Sequence, residues 1–149
     1  MGGEDAGIGP RRGRGSGVVV VADMEAGLEH LSWAGGTLRH VDALLVVLEP
    51  TAKVLMTAER AHALALELGI PRVAFVGNRY RPGEEQRLVD FAAAKGGDLL
   101  ALVPYDEAVR QADLAATCLL DHAPESPSVA AIAALADRLE ADYLAAPVG

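Results

Sequence analysis

Four short, continuously apolar runs recur along this chain, Val18 to Ala22, Ala43 to Leu48, Arg72 to Gly77 and Leu99 to Val103, separated by longer stretches with helical patterning. An apolar run without polar alternation is what a strand covered on both faces requires, and strands of that kind belong to parallel sheets. Helical signals lie between them. Thr51 to Leu68 sets Leu55, Ala58, His62 and Leu66 near one face, with Gly69 as stop and Pro71 beyond. Pro82 to Lys95 opens with Glu84 and Glu85, where the helix dipole favours acids, and closes on Gly96-Gly97. Pro127 to Tyr143 has Ser126 as its cap and proline at the first helical position. The expected fold is α/β, a three-layer, mostly parallel sheet flanked by helices.

With 149 residues, 51% of them hydrophobic, the chain is long enough for one real core. Residues 1 to 17 are rich in Gly and Arg and almost devoid of large apolar side chains, which predicts a flexible tail ahead of a body spanning 18 to 149. Aromatics make up only 4% and the net charge is −8, so there are few base-stacking platforms and no basic face for a nucleic acid. The basic Arg11-Arg-Gly-Arg14 cluster reads as part of the solvated tail. A single cysteine, Cys118, rules out an intramolecular disulfide and a Cys-x-Cys metal site. No apolar run reaches the roughly 18 residues that span a bilayer, and the expectation is a cytoplasmic protein.

In parallel sheets of this kind ligands bind beyond the carboxyl ends of the strands. The residues that follow the four runs are Asp23 with Glu25 and Gly27, then Glu49-Pro50-Thr51, Gly77-Asn78-Arg79 and Pro104-Tyr105-Asp106. One edge of the sheet is thus expected to gather acids, an amide, an aromatic hydroxyl and an arginine. An apolar run ending in an acid and a glycine turn is also how nucleotide-binding α/β proteins bring a carboxylate to a phosphate. On residue type alone, an Asp or Asn at a strand end, as at Asp23 and Asn78, reads more readily as a turn or capping residue.

Taken in order, Asp23-Met-Glu-Ala-Gly-Leu-Glu-His-Leu31, Val41-Asp-Ala-Leu-Leu-Val-Val-Leu-Glu-Pro50, Gly69-Ile-Pro-Arg-Val-Ala-Phe-Val-Gly-Asn-Arg79 and Val103-Pro-Tyr-Asp106 resemble the carboxy-terminal part of MinD/ParA-type (SIMIBI) P-loop ATPases, and most of all the CooC-like branch. The resemblance runs from about Val18 to about Ala115. It implies a partial P-loop NTPase fold, ATP or ADP with Mg²⁺ as ligands, and Asp23 as the switch acid contacting the Mg²⁺ shell or the attacking water. It further implies Gly27 as the turn glycine near the γ-phosphate, Asn78 as reader of the adenine edge, and Pro104, Tyr105 and Asp106 as the segment lining the base. A carboxylate suits Mg²⁺ or its waters, and an amide pairs with donor and acceptor alike. His30 is open to a ligand-touching or a structural role, and Trp33 to a partner contact or burial.

The sequence departs from the family pattern in two places. A loop of the form G-x-x-x-x-G-K-[ST] is absent, the only lysines being Lys53 and Lys95, and Gly13-Arg-Gly-Ser-Gly17 precedes a run instead of following one. The Cys-x-Cys motif that the CooC-like branch uses for nickel is also missing, so no nickel site is expected. The expectation is therefore a truncated ATP-binding protein without ATPase turnover by itself. Two alternatives stand beside it: a pseudo-ATPase module pairing with a second copy, an intact ATPase or a separate amino-terminal half, and an unrelated small α/β enzyme or receiver-like domain.

Overall fold

The structure, a computed structural model, describes residues 19–24, 38 and 40–144. The 1–17 tail, Gly27, His30 and Trp33 lie outside the described residues. Three parallel strands, β1 (Leu44–Leu48), β2 (Val73–Tyr80) and β3 (Asp98–Pro104), form a sheet in chain order with β2 in the middle. Helix α1 (Ala52–Glu67) links β1 to β2, and α2 (Glu85–Ala94) links β2 to β3. After β3 come α3 (Glu107–Leu114), the short α4 (Leu119–His122) and α5 (Pro127–Leu139), which ends in a π-helical turn over Glu140–Leu144.

Local sequence sets these bounds. Thr51 caps α1 by accepting from the Val54 amide at 3.4 Å, and Gly69, at φ +69°, supplies the left-handed residue that stops it. Ser126 caps α5 in the same way through the Val129 amide, and Pro127 takes the first helical position. The expected inward face of α1 holds with one change. Leu55, Ala58, His62 and Ala65 are buried, whereas Leu66 is 59% exposed. The 3.6-residue repeat, followed from Leu55 through His62, reaches Ala65 before Leu66.

Val46 and Leu48 of β1, Phe75 of β2, Leu55 and Ala58 of α1, and Leu88 and Ala92 of α2 form one core cluster, with the His62 ring tilted against the Phe75 ring, their centroids 5.3 Å apart. A smaller cluster of Leu38, Ala65 and Ile70 sits at the amino ends of β1 and β2, where Leu44, Val73 and Met24 pack against it. The first apolar run departs from expectation. Val19, Val20 and Val21 are 53, 85 and 88% exposed and pair with no strand among the described residues. Apolar composition permits a strand, but a ladder partner is what makes one.

Two bulges interrupt the β2–β3 ladder. Phe75 pairs with Leu99 and Val76 with Ala101, leaving Leu100 over on β3, while Asn78 pairs with Val103 and Tyr80 with Pro104, leaving Arg79 over on β2. Arg79 takes up its extra residue at φ +55°, in the left-handed region.

Candidate functional site

At the carboxyl ends of the three strands lies a cleft of about 190 Å³, lined by Glu49, Pro50, Thr51, Arg79, Arg81, Glu84 and Tyr105. Each strand contributes its terminal loop. Glu49 and Pro50 follow β1, and Thr51 is both cleft wall and cap of α1. The bulge at the end of β2 throws Arg79 outward, where its Nη1 meets Glu49 Oε1 at 3.5 Å. That pair is largely in water, so it orients the guanidinium more than it stabilises the fold. The Asn78 side chain is half-buried, and its Oδ1 accepts the Arg79 amide at 3.0 Å, so the bulge itself holds the side chain. The amide NH₂ remains available as donor chemistry.

The far wall is built around Tyr105. Its backbone N–H donates to the Tyr80 carbonyl at 2.8 Å, extending the β2–β3 ladder by one bond, and its hydroxyl donates to Glu107 Oε2 at 3.0 Å. The Arg81 guanidinium lies over the ring, 4.2 Å from its centre. The Arg81 amide in turn donates to Glu84 Oε2 at 2.8 Å. The Arg110 guanidinium, and after it the Tyr105 hydroxyl, hold the Glu107 carboxyl below the usual carboxylate range.

Asp106 stands behind this wall. Its Oδ1 accepts the Ala108 amide at 2.9 Å as the cap of α3, and its Oδ2 accepts the Ser128 amide at 3.1 Å in the first turn of α5. Burial by itself pushes the carboxyl up, but the amides of Ala108 and Ser128 and the Ser126 hydroxyl outweigh it and keep the group below the ordinary aspartate range. The Ser128 hydroxyl also donates to the Pro104 carbonyl at 3.2 Å. Asp106 and Pro104 thus frame the cleft from outside it.

The structure brings Asn78, Pro104, Tyr105 and Asp106 to one end of the sheet, as the sequence order anticipates. It does not bring Asp23 there. Asp23 is exposed and absent from the cleft lining, and its neighbour Met24 packs against the cluster at the amino ends of β1 and β2. The expectation for Asp23 rested on the family resemblance and on the first run being a strand of this sheet. Arg81 and Glu84 were missed, because they lie past the expected end of β2 and only the bulge carries the strand on to Tyr80. Among the described residues, no group of three His, Cys, Asp or Glu side chains could hold a metal ion, and no helix is long and apolar enough to cross a membrane. Cys118 is exposed and unbridged.

No family model matches the chain. Over 92 residues it is 42% identical to an uncharacterised ATP-binding protein of Methanocaldococcus jannaschii, a match covering 61% of this chain and 35% of that protein. Over 123 residues it is 36% identical to the carbon monoxide dehydrogenase accessory protein CooC of Rhodospirillum rubrum, covering 80% of this chain and 45% of CooC. The chain therefore spans less than half the length of either relative. Among solved structures, the MinD cell division protein of Aquifex aeolicus superposes with a TM-score of 0.62 at 16% identity, over 75% of this chain and 48% of MinD, which speaks for the fold alone. The septum site-determining protein MinD of Pyrococcus horikoshii OT3, solved in complex with Mg-ADP, superposes with a TM-score of 0.54 at 25% identity, over 70% of this chain and 42% of its own. Sequence identity to CooC over four-fifths of the chain and a parallel sheet that superposes on MinD lead to one conclusion: the chain belongs to the MinD/ParA-type P-loop ATPases, in their CooC-like branch, and corresponds to the carboxy-terminal portion of that fold.

Proposed function

We propose that this chain is the base-binding part of a CooC-like ATP-binding protein, one that holds ATP or ADP weakly and does not turn ATP over by itself. The observation that carries the reading is the cleft at the carboxyl ends of the strands, with Tyr105 and Arg81 in its wall and Asn78 and Pro104 at the same end of the sheet. An adenine offers ring nitrogens to the Asn78 NH₂ donors, and the Tyr105 ring with the Arg81 guanidinium over it supplies a flat, polarisable surface. Asp106 holds the Tyr105 segment in place.

Mg²⁺ enters this reading with the nucleotide's phosphates, because it keeps most of its waters and takes few protein carboxylates. Asp23 and Gly27 would serve that phosphate side only once the first apolar run is paired as a strand of the sheet, which would carry Asp23 from its present place outside the cleft to the carboxyl end, Asp23 then acting through a Mg²⁺-bound water. Bound Mg²⁺ would supply charge neutralisation at the phosphates. Turnover needs more than this chain carries. Phosphoryl transfer depends on loop amides and a lysine around the phosphates, and losing one well-placed donor costs about 2.7–4 kcal/mol of barrier. The lack of a G-x-x-x-x-G-K-[ST] sequence removes the whole cradle. A second copy, an intact ATPase or a lysine-bearing amino-terminal half is the partner that would complete it.

Isothermal titration of the purified chain with ATP and with ADP, each with Mg²⁺, tests the reading. Weak binding that Asn78→Ala reduces, with no phosphate released, is the expected result. Absence of heat at high protein concentration would refute it and leave a pseudo-ATPase interaction module.

A further inference from the structure

The polar groups that line the cleft are committed to different degrees. Thr51 Oγ1 accepts the Val54 amide, Glu84 Oε2 accepts the Arg81 amide, and the Tyr105 hydroxyl is turned to Glu107. The Arg81 guanidinium lies on the Tyr105 ring. Glu49 differs from all of these. Its side chain is 31% exposed, its carboxylate accepts no hydrogen bond among the described residues, and its one ion-pair partner is Arg79 Nη1 at 3.5 Å. An N–H···O bond runs at about 2.7–3.2 Å, so this pair aims the carboxylate without satisfying it. A carboxylate offers two oxygens, each able to accept more than one donor. Glu49 therefore brings unused acceptor capacity to the cleft, and a half-buried acceptor without a donor costs free energy until one arrives.

We infer that Glu49 is the sugar-reading residue of the cleft, its carboxylate accepting the 2′- and 3′-hydroxyls of a ribonucleotide whose base lies against Arg81 and Tyr105. The site then selects ribose over a sugar that lacks the vicinal diol. This rests on the base-binding reading above and adds to it the class of sugar. Position is the first support. Glu49 follows β1 and Tyr105 follows β3 with β2 between them, so the two walls stand about 10 Å apart at 4.7–4.9 Å per strand. A base against the Tyr105 wall leaves its sugar to cross the cleft toward Glu49. Charge is the second. Phosphate oxygens carry the same sign as the carboxylate and are turned away from it, and a Mg²⁺ held directly by Glu49 would stand beside the Arg79 guanidinium, cation against cation. Donor chemistry is the third. Two neutral hydroxyls on adjacent carbons give one donor to each carboxylate oxygen, and an acid that follows a strand of a parallel sheet binds ribose hydroxyls in this manner in dinucleotide-binding folds.

Titration calorimetry of the full chain with ADP and with 2′,3′-dideoxy-ADP, each with Mg²⁺ and again in EDTA, provides the test. ADP is expected to bind about 10–100-fold more tightly than the dideoxy nucleotide, the range for hydrogen bonds to a charged acceptor, and to keep that preference in EDTA. Glu49→Ala is expected to bind the two nucleotides equally, with circular dichroism unchanged. Glu49→Gln, which keeps one neutral acceptor oxygen, is expected to show a smaller preference than wild type, and this arm decides the matter should Glu49→Ala not fold. Three results would overturn the inference and leave the base-binding reading in place: ADP bound with no preference for the diol, a preference that vanishes in EDTA, or a preference undiminished in the Glu49 variants. Binding of neither nucleotide to the wild-type chain would overturn both.

Discussion

Replacing Asp106 probes the joint that holds the cleft wall to the end of the chain. The carboxylate uses one oxygen on the α3 cap and the other on the Ser128 amide of α5, so Asp106→Ala removes two charge-assisted bonds at two helix N-termini. Loss of a cap costs about 1 kcal/mol, and the second bond, being half-buried, contributes near the low end of the range for charged acceptors, so the total is about 2–3 kcal/mol. Asp106→Asn keeps a neutral acceptor for α3 and gives up the charge and the second acceptor, for a loss of about 1–2 kcal/mol. Urea unfolding followed by circular dichroism reads both, and with a denaturant slope of about 1–3 kcal/mol per molar the alanine variant's midpoint falls by about 0.7–3 M. The pH dependence supplies an independent sign. Because the folded-state pKa is lowered, the carboxylate's contribution is complete above the ordinary aspartate value of 3.8 and disappears as pH falls through the lower folded value. The gap between wild type and Asp106→Asn therefore closes on acidification below 3.8. A loss under about 0.5 kcal/mol for the alanine variant, or a gap that widens in acid, would refute the bridging role.

Two further substitutions test the packing of the sheet and the strain in the cleft. A Cβ on Gly97 would sit 2.4 Å from Cε2 of the buried Phe75 ring, so Gly97→Ala is expected to destabilise by about 1–3 kcal/mol, measured by thermal or urea unfolding. Arg79→Gly relieves a left-handed backbone costing about 1–2 kcal/mol, so it is expected to leave stability unchanged or slightly raised. The same variant weakens any ligand the cleft holds, which titration calorimetry separates from the stability change.

Three of the four strands were legible because continuous apolar runs bounded by Gly, Pro and Asn carry their own punctuation, and Leu44–Leu48, Val73–Tyr80 and Asp98–Pro104 fall on them. The helices at Ala52–Glu67 and Glu85–Ala94 carry equally plain stops at Gly69 and Gly96. Helix α5 begins at Pro127 as anticipated, but it gives way to a π-helical turn at Glu140 before Tyr143. Helix α3 went unnoticed because its single buried residue, Ala112, makes no apolar stripe and its cap, Asp106, reads equally well as a turn residue. Neither bulge is written locally, since each is a mismatch between two strands distant in sequence, and Arg79 carries none of the glycine that usually marks a left-handed position. For the same reason the Arg81–Tyr105 stack and the Asp106–Ser128 bond could not be read from spacing. The first run had the composition of a strand, but composition cannot name the neighbour that would pair with it.

Each strand of this sheet hydrogen-bonds to the strand that follows it in the chain, with one helix between. Such an order keeps contacts short in sequence, so little loop entropy has to be lost before each new pairing is rewarded. During synthesis, β1 and α1 can dock onto β2 before β3 has left the ribosome, and every later element adds to a surface that already exists. A chain wired in this way acquires its sheet from the amino end onward, and Arg138, near the carboxyl end of α5, is the last piece to arrive and close the β3 edge.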